Sequence, residues 1–185
     1  SRAGLAIINL YKATGEKHYL DSARRLGDAF LNWLGSEHLC CGYFGYNPGD
    51  EKAPLTDNPV YYGEMVSFLL QLHEAKYTEC ALGIIDRISE KFPKVAPFGF
   101  SDNFTYSRYL LMLSCAQVQT ERDFSAQIEP ILDFFEKLQA PCGGIRETPI
   151  RLEETLEAGI AIGDGSDSIA DLLYCNNFTF NALSV

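Results

Sequence analysis

Asp57, Asp102 and Asp167 each stand just ahead of an apolar segment of helical character. Glu64 lies inside one such segment, and Asp171 falls in the opening turn of another. Carboxylates placed in this way can divide the work of acid–base chemistry. One is held protonated by its surroundings as a general acid, while a second stays ionised as base or nucleophile. Each Asp also suits a structural post, because Asp is a favoured N-cap whose oxygen accepts an orphan backbone N–H. Glu64 inside an apolar helix is costly unless partnered, although an acid in a first turn also favours the helix dipole. Arg146-Glu147 follows the glycine pair Gly143-Gly144, which permits a tight turn. Its guanidinium suits a bidentate grip on a carboxylate, or an ion pair with Glu147 or Glu153 in its own loop. Tyr43, Phe44 and Tyr46, with Tyr61 and Tyr62 beyond, suit stacking on flat ring faces. The same rings serve equally well to pack a long loop onto helices.

Composition narrows the partners. Hydrophobic residues make up 46% of the 185 residues and charged residues 22%, an ordinary globular balance rather than a disordered one. A net charge of −10 repels phosphate backbones, so neither nucleic acid nor an anionic membrane is expected as a partner. No apolar run reaches the ~18–20 residues that cross a bilayer. The opening Ser1-Arg2-Ala3-Gly4-Leu5 lacks the basic-then-apolar shape of a signal peptide, and the compartment is left unassigned. Cys40, Cys41, Cys80, Cys115, Cys142 and Cys175 form no CxxC or Cys/His spacing, and His18, His38 and His73 lie far apart. No metal site and no cofactor are expected from them. Cys80 and Cys115 sit among apolar neighbours and read as small buried hydrophobes. The oxygen-rich Gly163-Asp164-Gly165-Ser166-Asp167-Ser168 lacks the full spacing and terminal Glu of a calcium loop. It reads as a turn leading into a helix cap.

The elements that must position these residues are helices. Tyr19, Ala23, Leu26, Phe30 and Leu34 form one amphipathic stripe; Ala81, Ile84, Ile85, Ile88 and Phe92 form a second. Phe124, Ile128, Ile131, Phe135 and Leu138 form a third. Residues 5–11, 65–72, 106–116 and 172–183 are apolar on most faces, as helices buried on several sides are. An inner helix, a short connector and an amphipathic helix thus recur as a hairpin. Gly15 in the first connector is placed as a left-handed helix stop. Taking Leu5, Val60, Tyr106 and Leu172 as starts, the inner helices are spaced 55, 46 and 66 residues apart by subtraction. A repeat of roughly 50 residues with variable insertions on one side marks a helical-hairpin array. If the inner helices run parallel, the long links 36–58, 93–101 and 141–167 all fall at their N-terminal ends. Aromatics, carboxylates and Arg146 then converge on one face.

The stretch Asn9-Leu10-Tyr11-Lys12-Ala13-Thr14-Gly15-Glu16-Lys17-His18-Tyr19, running into Ala23-Arg24-Arg25-Leu26, resembles a hairpin turn of the six-hairpin, or (α/α)6 toroid, carbohydrate-active enzymes. Gly143-Gly144-Ile145-Arg146-Glu147 adds to the resemblance, as does Gly163 to Ser168 leading into Asp171-Leu172-Leu173-Tyr174. It covers effectively the whole chain. The resemblance implies an all-α fold of repeated helical hairpins, with residues 1–185 as a single domain forming an arc of the toroid. A closed ring of six hairpins needs roughly 300 residues. The expectation is therefore that further chain, or a second copy in a homo-oligomer, covers the open side. The resemblance also implies an oligosaccharide or polysaccharide substrate in a cleft at the long-loop end. The epimerase branch relies on inner-helix histidines, which this chain lacks apart from His73 at an end, and other branches need zinc. A glycoside hydrolase is preferred, with a polysaccharide lyase second. The expected catalytic acid is Asp102, with Asp167 or Asp171 as its carboxylate partner. Tyr43, Tyr46, Tyr61, Glu64, Tyr106, Arg146 and Glu147 are expected to bind substrate. The alternative is a non-catalytic helical-repeat module that binds glycan or protein on the same face.

Overall fold

The computed structural model of the chain describes residues 1–35, 40–41, 55–56, 62–90 and 102–139. These divide between two compact units, Ser1–Phe92 and Pro93–Val185, each of which is taken by itself below.

The first unit opens with a hairpin of α1 (Arg2–Thr14) and α2 (Lys17–Leu34). Gly15 ends α1 in the left-handed region at φ 72°, as the sequence suggests, and its N–H donates to the Tyr11 carbonyl at 2.8 Å. Thr14 fixes the same turn: its hydroxyl donates to the Leu10 carbonyl at 2.8 Å and accepts the Glu16 N–H at 3.2 Å. Along α2 the buried face is Ala23, Gly27, Phe30 and Leu34. Gly27 rather than Leu26 stands at its centre, because the helix meets its neighbours too closely there for a side chain.

A second hairpin follows, α3 (Gly63–Leu70) and α4 (Ala75–Ser89). Every residue of α3 except Glu64 is buried, as expected of a helix apolar on most faces. Each such Leu or Phe contributes about 1.5–3 kcal/mol on burial. α4 buries Tyr77, Cys80, Ala81, Ile84, Ile85 and Ile88, a stripe one helical face wide. In the link between the two hairpins, β1 (Cys40–Cys41) pairs antiparallel with β2 (Leu55–Thr56), Cys40 opposite Thr56 and Cys41 opposite Leu55.

Within this unit α1 packs on both α2 and α3, α3 on α4, and α2 on α4, so first helix meets first helix and second meets second. Gly4 lies against the fully buried ring of Phe68, where a Cβ would come within 2.7 Å of two ring carbons. Phe30 meets the same ring edge-on at 6.0 Å between centroids. α1 departs from expectation: only Gly4 and Ile8 are buried, and Leu10 is 46% exposed. Its neighbours α2 and α3 reach only part of its circumference.

The described part of the second unit is one hairpin, α5 (Asp102–Gln119) and α6 (Ser125–Leu138). α5 is buried continuously from Tyr106 to Leu113. α6 presents Phe124 at its cap, with Ile131, Phe134 and Phe135, to the core. The turn is held by the Gln117 amide oxygen, which accepts the Phe124 N–H at 2.9 Å, and by Asp123. The Asp123 carboxylate takes the Ser125 N–H and hydroxyl at 2.9 and 2.7 Å. Those bonds favour the charged form and hold its carboxyl below the usual range. The described residues are helical apart from the ribbon of two residues per strand, a bridge residue at Gln139 and the turns, an all-α architecture of repeated hairpins.

Candidate functional site

Two cross-links fix the relative direction of α1 and α3, the first helix of each hairpin. At their N-terminal ends, Arg2 Nε donates to both oxygens of Glu64, at 2.9 and 3.0 Å, and the Ser1 hydroxyl reaches one of them at 3.4 Å. At their C-terminal ends, Lys12 Nζ donates to the Gln71 amide oxygen at 2.8 Å. Start is tied to start and end to end, so α1 and α3 run parallel. The long link between the hairpins therefore enters at the end that carries Glu64. Glu64 itself is 20% exposed, set in the first turn of α3 where a negative charge faces the positive end of the helix dipole.

At the opposite, short-connector end the hairpins are stapled through α2 and α4. Arg24 donates to Glu74 at 2.6 Å, and Lys76 bonds Asp28. The Tyr77 ring is fully buried, with its hydroxyl proton shared between the Asp28 carboxylate at 2.9 Å and the Arg24 carbonyl at 3.1 Å. Hydrogen bonds from Lys76 and then Tyr77 hold the Asp28 carboxyl below the usual carboxylate range. Burial leads the causes that push the Tyr77 hydroxyl up. This cluster joins two helices and faces away from the long-link end.

In the second unit, the first residue of α5 is Asp102 itself, inside the helix rather than ahead of it. One turn on, Tyr106 is 8% exposed and its ring lies 4.6 Å from that of Phe134, tilted by 38°. It therefore contributes to the α5–α6 contact, and little of its ring is open to a ligand. Tyr62, at the cap of α3, is fully buried and likewise serves the core. Asp57, Asp167, Asp171, Tyr43, Tyr46, Tyr61, Arg146 and Glu147 lie outside the described residues, as does the side chain of Asp102. Of the expected site, Glu64 and Tyr106 have described side chains, and they belong to different units.

One buried charge is not anticipated by the helical periodicity. Arg108, in the second turn of α5, is 5% exposed and flanked by Ser107 at 1% and Tyr109 at 1%. A guanidinium stays charged at any accessible pH, so α5 carries a fixed positive charge in its buried face. The signal was present: Arg108 is the one charged residue in the apolar stretch 106–116.

Cys80 and Cys115 are 6% and 3% exposed, the buried positions that their apolar neighbours suggest, and burial pushes the Cys80 thiol up to about 11. Among the described residues no three His, Cys, Asp or Glu side chains are grouped to hold a metal ion, and no helix is long and apolar enough to cross a membrane. Comparison of the chain with protein-family models, with curated proteins and with solved structures finds no match.

Proposed function

We propose that the chain forms part of a glycan-processing enzyme, a glycoside hydrolase, whose hairpins make an arc of an (α/α)6 toroid. The observation that carries this reading is the parallel alignment of α1 and α3, with Arg2 tied to Glu64 at one end and Lys12 to Gln71 at the other. It supports a layered array with inner helices side by side and the long, aromatic- and carboxylate-rich link at one end. In such an array the substrate, an oligosaccharide or polysaccharide, lies across the N-terminal ends of the inner helices.

The chemistry needs two carboxyl groups flanking the glycosidic bond. Asp102, opening α5, is assigned as the acid that protonates the leaving oxygen, and Asp167 or Asp171 as the base or nucleophile. Arg146 would grip a sugar carboxylate, favouring uronic acids, and Tyr43, Tyr46 and Tyr61 would stack on sugar faces. A polysaccharide lyase is the second choice of reaction. The other reading is a helical-repeat module that binds glycan or protein without turnover. The burial of Tyr62 and Tyr106 takes two rings away from the ligand face in either reading.

The experiment is turnover of a broad panel of oligo- and polysaccharides by the intact protein, with Asp102→Asn and Asp167→Asn beside the wild type. Loss of 10²-fold or more in kcat for either change, with the fold retained, supports the assignment. Wild-type turnover that neither change slows overturns the assigned residues. Binding without turnover favours the module, and neither binding nor turnover removes support for the glycan reading.

A further inference from the structure

We draw no further inference here: the strongest candidate, the exposed stripe of Ala3, Ala6, Leu10 and Ala13 along the side of α1 away from Gly4 and Ile8, is an unpartnered apolar helix face, and nothing among the described residues shows what covers it.

Discussion

Replacing Gly27 by Ala sets two opposed effects against each other at one atom. A methyl there would lie 2.7 Å from Leu72 Cδ1, 2.8 Å from Tyr77 Cε1 and 3.2 Å from Tyr77 Cζ. In a free helix the same change is favourable by up to about 1 kcal/mol, because Gly has more backbone freedom to lose. Here neither neighbour has room to yield. Leu72 is 4% exposed, and the fully buried Tyr77 ring is anchored through its hydroxyl to Arg24 and Asp28 on the very helix that would carry the new methyl. Overpacking of this kind costs typically about 1–3 kcal/mol. The net expectation is a loss of roughly 0–2 kcal/mol, centred near 1. It is read as a lowered urea midpoint at unchanged slope. A double-mutant cycle sharpens the test. Leu72→Ala alone costs about 2–5 kcal/mol by opening a cavity, and it should cost less in the Gly27→Ala background because the methyl fills part of that space. If Gly27→Ala raises stability by the full helix-propensity gain and adds to Leu72→Ala without coupling, the close approach of α2 to this pair is refuted.

Four further outcomes can be measured, three from described side chains and one from the proposed reading. The Cys80 thiol, buried and pushed up from 9.0 to about 11, stays protonated where the unfolded chain ionises; stability should fall as pH rises from about 9 to 11, by up to about 2 kcal/mol, and Cys80→Ala should flatten that limb of urea midpoint against pH. The Asp28 carboxyl is held down by Lys76 and Tyr77, so its contribution is present at neutral pH and is lost as pH falls below about 4 through its folded value; in Lys76→Met, NMR titration should find it moved back up towards the ordinary range. Pro130 lies inside α6 and is exposed, and it withholds the N–H that would bond the Ala126 carbonyl; Pro130→Ala should stabilise by up to about 3 kcal/mol, less roughly 0.4–1 for the looser unfolded chain, and an unchanged or lowered Tm would contradict this. On the proposed reading, Asp102→Asn should reduce glycan turnover far more than substrate binding, which a split between kcat and KM would reveal.

Periodicity is what makes the helices legible in the sequence. The stripes of α2, α4 and α6 have the helical spacing that burial on one side produces; their described members lie on a helix or, for Phe124, at its cap, and Phe92 lies outside the described residues. Gly15 is legible for a different reason: a left-handed stop excludes most other residues. The ribbon of Cys40–Cys41 and Leu55–Thr56 was not legible, because two residues per strand cannot display a period of two. Tyr106 illustrates a harder limit. A ring that stacks on a ligand and a ring that packs against Phe134 have the same local sequence, and only the position of α6 separates them. Arg108 fails in the opposite sense. A pattern rule sends a cation outwards, whereas α5 is covered so widely that its guanidinium is drawn inside.

Glu64 remains the expected site residue with the most developed geometry, and its pairing with Arg2 does not remove it from chemistry. The Arg2 side chain is 73% exposed, so the pair is screened by water and is of the class worth about 0.2–1 kcal/mol. A sugar hydroxyl that took one Glu64 oxygen would leave the other for Arg2 Nε, which bonds both at present. The energy needed to open that half of the contact is smaller than the ~1.5–3 kcal/mol of a hydrogen bond to a charged group. The structural role does not depend on the same interaction, since the Lys12–Gln71 bond and the seating of Gly4 on Phe68 hold α1 to α3 without it. Glu64→Gln separates the two roles. As a strut only, it should shift stability by less than about 1 kcal/mol and leave glycan binding untouched. A tenfold or greater loss of affinity at unchanged stability would make Glu64 a substrate ligand that Arg2 holds in place.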